Sequence, residues 1–255
     1  MSRYDFLDAT RTNWGEVRKH QYNVVVLPWG ALEPHNYHLP YYTDAILSQE
    51  IALDSAGLAY QNAGIKCMVL PPVFLGSQNP GQCDLPFCIH TNYETQKHIL
   101  TDIVQSLFHQ GFRKLVIING HGGNTFKSMI RDLAVVCSDF VIVTVNWYDF
   151  IPRNNYFDEK TDDHAGEQET SAMLHYYPER VNLASAGEGK ANPHPLQAIQ
   201  NKVGWIPRNW KETTEDTGIG NPHSATAEKG KQYLIKVTEK ISDLLIELSN
   251  YKGVE

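Results

Sequence analysis

None of the four cysteines (Cys67, Cys83, Cys88, Cys137) forms a C-x-x-C pair. That removes ribbon-type zinc sites and thioredoxin-like redox chemistry. The start of the sequence, MSRYDFLDAT, has neither a basic n-region nor an apolar h-region, so reduced thiols and a cytoplasmic location are expected. No apolar run approaches the roughly 18 residues that a membrane-spanning helix needs. Positive charge is scarce as well: 22 Lys and Arg face 29 Asp and Glu, a net charge of -7. This is the wrong sign for nucleic acid or an anionic membrane as partner. G-x-S-x-G is missing, which excludes the strained elbow of serine hydrolases. So is the G-K-[ST] ending that gives a phosphate loop its lysine. A cysteine nucleophile at Cys83 or Cys88 would need a base beside it, and no such pattern occurs. There is no internal repeat and no low-complexity tract.

What remains is an ordinary globular composition, 42% hydrophobic and 20% charged over 255 residues. It is enough for one domain, residues 1–255, with a full core. Continuous apolar runs at Val24–Leu27, Lys66–Leu70, Leu115–Ile118 and Val141–Val145 read as strands buried on both faces. Between them lie helical patterns: a short one over Trp14–Lys19, one capped by Thr43 and stopped by Gly64, and Tyr93–Gln110 and Phe126–Val136. A further helix begins near Glu167 or Glu169 and buries Met173 and Leu174, and Ala227–Leu248 closes the chain. Residues 74–92 read as a long loop. Residues 185–226, rich in proline and glycine, read as extended structure wrapping the domain or reaching a neighbouring subunit. Strands alternating with helices give an α/β fold with a parallel sheet covered on both faces.

In such sheets ligands gather at the carboxyl ends of the strands, and three of these strands end in polar clusters. The first is WGALEPHNYHLPYYTD (Trp29 to Asp44), which holds Glu33, His35, His38 and Asp44. Bare carboxylates beside an apolar strand are costly unless paired or bound to a cation. A surface loop with a capping Asp is the plainer alternative for this stretch alone. Glu33 and His35, two apart in an extended segment, point the same way, and the two oxygens of Asp44 could bridge a pair of ions. The second cluster is NGHGGN (Asn119 to Asn124), where glycines let the loop around His121 approach an ion closely. The third is Trp147 and Tyr148, which read as pocket wall or core. Farther on, DDHAGEQETSAML supplies His164, Glu167 and Glu169. Imidazoles and carboxylates without thiolates suit Zn²⁺, Mn²⁺ or Fe²⁺.

GALEPHNYHLPYYTD, NGHGGN, DDHAGEQETSAML and TGIGNPHSATAEKG together resemble the creatininase (creatinine amidohydrolase) family, over about nine-tenths of the chain. The resemblance implies a three-layer α/β/α domain with a mostly parallel central sheet. It also implies two divalent metal ions per chain, zinc first among the candidates, and hydrolysis of C–N bonds in cyclic amides, formamides and similar small amides. Metal roles carry over to Glu33, His35, Asp44 (bridging) and His121, and His164 becomes the candidate proton shuttle. Creatininase has a glutamate ligand where this chain has Gly123, so the missing oxygen is expected from Glu169 in preference to Glu167. Glu167 is then the alternative proton donor. Gly122, Gly123, Trp147 and Tyr148 are the expected substrate contacts. Lys160 replaces a tryptophan that closes over creatinine, and loop 76–92 lacks the family's usual pattern, which makes creatinine a poor fit. NGHGGN itself resembles the branch with formamide deformylases and peptide-trimming relatives.

The expected mechanism is attack of a metal-bound hydroxide on the amide carbonyl, with His164 protonating the leaving nitrogen. A homo-oligomer, with a hexamer as one form, is implied too. The rival reading is a non-catalytic protein binding a small metabolite on the same fold, with poor metal occupancy and no turnover.

Overall fold

A computed structural model describes residues 4–253 of the chain. Its sheet has four parallel strands, β1 (Val24–Trp29), β2 (Cys67–Val69), β3 (Lys114–Asn119) and β4 (Val141–Asn146), in the order β2-β1-β3-β4. The helices are α1 (Trp14–Val17), α2 (Thr43–Ala63), α3 (Tyr93–His109), α4 (Lys127–Val136), α5 (Glu167–Tyr176), α6 (Gln197–Gln200), α7 (Trp210–Thr213) and α8 (Ala227–Asn250). All four expected strands form, each within two residues of its expected ends.

Every residue of β1 is buried, and period-2 alternation sends its side chains to opposite layers. Val24 and Val26 join Leu47 and Ile51 of α2, Met173 of α5 and Tyr233, Val237 and Ile241 of α8. Val25 and Leu27 join Leu100 and Val104 of α3 and Met129 and Leu133 of α4. Helices therefore cover both faces, giving the three-layer α/β/α arrangement. No described helix is long and apolar enough to cross a membrane.

Strand order reverses between β1 and β3, and the register pairs Trp29 with Asn119 and Asn119 with Asn146. The carboxyl ends of β1, β3 and β4 are thus level, with the switch point of the sheet beside them, where α/β folds open a ligand crevice. Bare backbone then lets α2 reach this edge. A methyl group on Gly30 would lie 2.5 Å from the Ala45 nitrogen, and one on Gly120 would lie 2.5 Å from the Asp44 carbonyl oxygen. The first turn of α2 is seated directly on two strand ends.

Thr43 is not the N-cap of α2. It is the first helical residue, Tyr42 stands at the cap, and both the Thr43 N–H, at 3.2 Å, and the Thr43 hydroxyl, at 2.7 Å, donate to the Pro40 carbonyl. The preceding proline turn thus takes the job a capping side chain would have done. Gly64 does end α2, in the left-handed conformation at φ 70°. Residues 185–226 pack on the domain along part of their length: Ile219 exchanges backbone hydrogen bonds with His164 at 2.8 and 3.0 Å.

Candidate metal centre

Four segments meet at the level strand ends. The loop after β1 brings Glu33 and His35, the first turn of α2 brings Asp44, the loop after β3 brings His121, and α5 with its lead-in brings His164 and Glu169. The NGHGGN loop is held by its two asparagines. Asn119 Nδ2 donates to the His121 carbonyl at 2.9 Å, and Asn124 Nδ2 donates to the Gly30 carbonyl at 3.1 Å. Asn36, in the left-handed region at φ 53°, turns the chain just after His35; asparagine tolerates that conformation better than most residues.

The ligand atoms fall into overlapping groups whose members lie within 4.8 Å of one another: Glu33, Asp44 and His121; His35, Asp44 and Glu169; and Glu33, His35 and His164. Asp44 alone belongs to both of the first two, as a bridging carboxylate would. His121 Nδ1 stands 2.8 Å from Glu33 Oε1 and 3.2 Å from Asp44 Oδ2. Yet those two buried oxygens have no hydrogen-bond partner. Three buried donor atoms converging without hydrogen-bond geometry are what an ion requires and what a protein core avoids.

The imidazoles point the same way. A backbone carbonyl only accepts, so the ring nitrogen facing one must carry the proton. His35 Nδ1 faces the Glu33 carbonyl at 3.0 Å, His121 Nε2 the Ser77 carbonyl at 2.7 Å, and His164 Nε2 the Pro34 carbonyl at 2.9 Å. Each ring therefore aims its other nitrogen into the cage. His35 Nε2 lies 2.9 Å from Asp44 Oδ1, a lone pair against a carboxylate unless a proton or a cation stands between them.

The buried carboxylates also favour protons on these imidazoles. Burial opposes charge on His35 most strongly, but Asp44, Glu169 and Glu33 outweigh it and push the imidazole up to about 10. His121 is raised likewise, burial being overcome by Glu33 and Asp44. Burial, with Asp44 adding to it, pushes Glu169 up to about 8. His164 goes the other way: burial lowers it and the neighbouring His35 assists. An incoming cation would compete with the protons that these shifts favour on His35, His121 and Glu169. Divalent-ion uptake is expected to release protons, and apparent affinity to rise about tenfold per pH unit for each one released. Calorimetry in two buffers of different ionisation enthalpy counts them; equal heats in both would contradict this account.

Several expected site residues lie elsewhere. Glu167 is fully buried, but its Oε2 accepts the Asp158 and Glu159 N–H groups at 2.7 Å each and its Oε1 pairs with Lys229. Held by two backbone N–H groups and a lysine, the carboxylate faces away from the cage and has no proton to deliver to it. Trp147 is core, fully buried against Tyr233, because it continues the inward alternation of Val143 and Val145. Gly123 does not line the cavity over the cage, and any side chain there would overlap the Ser77 carbonyl and His121. His38 turns away to the Thr170 hydroxyl at 2.8 Å, and burial, with His35 adding to it, pushes it down to about 4. Tyr148 and Gly122 do line the cavity over the cage, a space of about 870 Å³ whose wall also carries Arg153, Lys160, Asp163 and Gln168.

Other supporting groups carried no sequence signal. The Gln82 side chain, arriving from loop 74–92, donates to Glu33 Oε2. Trp210 stands edge-on to His164 with ring centres 5.3 Å apart. Both come from irregular segments in which no spacing or periodicity marks them out.

Comparison with known proteins agrees with this geometry. The creatininase (creatinine amidohydrolase) family profile matches residues 10–245. A crystal structure of a candidate creatinine amidohydrolase from Bacteroides fragilis superposes with a TM-score of 0.96 at 52% identity, over 97% of this chain and 98% of that one. The creatinine amidohydrolase of Pseudomonas putida is 24% identical over 243 residues, 88% of this chain and 89% of its own length. A mutant creatininase of the Zn-Zn type shares the fold, with a TM-score of 0.75 at 24% identity over 94% of this chain and 97% of its own.

Proposed function

The chain belongs to the creatininase family, and from that premise we propose that it is a two-ion amidohydrolase cleaving the C–N bond of a cyclic amide, a formamide or a related small amide. The observation that carries this reading is the pair of ligand triads sharing Asp44 and no other residue. Glu33 and His121 would hold one ion, His35 and Glu169 the other, and Asp44 would belong to both sets. Zinc is the first candidate for this nitrogen and oxygen donor set, with Mn²⁺ and Fe²⁺ next; the Zn-Zn form of a creatininase supports two zinc ions. Bound there, such ions lower the pKa of water toward about 7 and polarise a carbonyl.

The protein's own groups do the rest. His164, its Nε2 proton fixed on the Pro34 carbonyl, turns Nδ1 toward Glu33 Oε1 at 3.7 Å. Burial lowers its basicity, so a proton taken up at Nδ1 is readily passed to the leaving nitrogen. Gln168 gives its amide hydrogens to the Tyr148 carbonyl at 3.1 Å and the Tyr233 hydroxyl at 3.0 Å. Its own oxygen, on a residue lining the cavity, is left to accept a substrate N–H. Lys160, at the cavity wall, offers a flexible cation where the resemblance has a flat ring. Creatinine is therefore not the proposed substrate. Val203 and Trp205, 80% and 85% exposed, are apolar groups that a second copy in a homo-oligomer would cover.

Elemental analysis of untagged protein, then a panel of cyclic amides, formamides and short peptides with creatinine as comparator, tests the reading. The expected result is two divalent ions per chain and turnover of a small amide faster than of creatinine. One ion per chain, or two ions with no amide cleaved, would overturn it.

A further inference from the structure

Loop 74–92 departs from the family pattern, yet it reaches the cage. We infer that Gln82 is a positioning residue whose side-chain amide decides which Glu33 oxygen faces the ions; the inference rests on the two-ion reading above. Gln82 is 1% exposed in an otherwise irregular loop. Its Oε1 accepts the Asn79 N–H at 3.3 Å while its backbone N–H donates to the Asn79 carbonyl at 3.1 Å. Because Oε1 is committed to a donor, the amide cannot be flipped, and Nε2 must face Glu33 Oε2.

That contact divides the carboxylate. Oε2 is occupied by an N–H donor, and Oε1 is the oxygen left without a hydrogen bond beside His121 Nδ1. Glu33 can then ligate through one oxygen only. Without the amide it could turn and take an ion with both oxygens, drawing it away from Asp44. The loop that presents Gln82 is anchored from outside: the Trp210 N–H donates to the Pro80 carbonyl at 2.8 Å, and Lys211 pairs with Asp84 at 2.8 Å. Trp210 is also the ring against His164, so a single anchor supports the holder of a ligand and the neighbour of the proton carrier.

Titration of the metal-free full-length chain with Co²⁺ tests this, because cobalt reports both affinity and coordination through its visible absorption. In Gln82→Leu, one of the two ions is expected to bind about 10- to 100-fold more weakly, the usual effect of removing a ligand's hydrogen-bond partner. Its absorption bands should change, and the other ion should be unaffected. Gln82→Asn, too short to reach Glu33, should behave alike and serves if the leucine variant does not fold. Lys211→Ala removes only an exposed ion pair of the same loop and keeps the Trp210–Pro80 hydrogen bond and the Gln82 amide in place, so both affinities should stay at the wild-type level. Wild-type binding of both ions by Gln82→Leu and Gln82→Asn, or equal weakening of both ions shared by Lys211→Ala, would overturn the inference. A wild-type chain taking up no Co²⁺ would overturn the two-ion reading beneath it as well.

Discussion

Asp44→Ala is expected to empty both metal positions at once. Each ion of the proposed centre has two ligands of its own, but Asp44 is common to both triads. Removing it leaves each ion with two protein donors, and affinity should fall by more than about 100-fold, beyond the loss that follows when only a ligand's supporting partner is removed. Removing Glu33 instead would strip one triad and leave His35, Asp44 and Glu169 in place. The metal-free fold would suffer as well. Against the opposing effect of burial, His35 and His121 hold the Asp44 carboxyl well below the usual carboxylate range, so its loss takes from two buried imidazoles the carboxylate they share. Elemental analysis and a melting curve with and without chelator read both effects. Chelator should lower the melting temperature of the wild type and leave that of the variant unmoved. An Asp44→Ala chain retaining even one ion at wild-type strength would end the bridging assignment.

His164→Ala should do the opposite, keeping the ions and losing turnover. Its Nδ1 is 3.7 Å from Glu33 Oε1, outside hydrogen-bond reach, and it belongs to neither triad that shares Asp44. Losing a proton carrier costs about 10²- to 10⁴-fold in rate. The loss should fall on kcat more than on KM, with two ions per chain still bound. An amide whose leaving group needs no proton should recover much of the rate. If the variant instead loses metal, His164 is a ligand through the triad it makes with Glu33 and His35, and the division of labour fails.

Much of this was legible because apolar strands leave a continuous trace. This is so even in β4, which was expected to be buried on both faces but lies at the sheet edge with every residue half-buried. Val24–Leu27, Leu115–Ile118 and Val141–Val145 marked the sheet, and the polar residues directly after the first two marked the site. The choice between Glu167 and Glu169 was only half legible. Two positions apart on a helix means about 200° of rotation, so only one of them could face the ions. Which one depended on Lys229 of α8, distant in sequence, waiting for Glu167 on the other side. Trp147 was misplaced by its polar neighbours, although the alternation through Val143 and Val145 already pointed it inward. Gln82 was invisible for a deeper reason. A side chain that crosses from an irregular loop to a ligand 49 positions earlier depends on tertiary geometry that no periodicity encodes.

Gly30 and Gly120 leave no room between the strand ends and the first turn of α2. The Asp44 carboxylate is therefore fixed by main chain pressed against main chain, and it cannot drift without parting the helix from the sheet. Anything that tightens on Asp44 also clamps that seam, and it resists unfolding by an amount set by its concentration relative to its dissociation constant. If the cage holds ions as proposed, a chelating agent would act on this molecule as a mild denaturant.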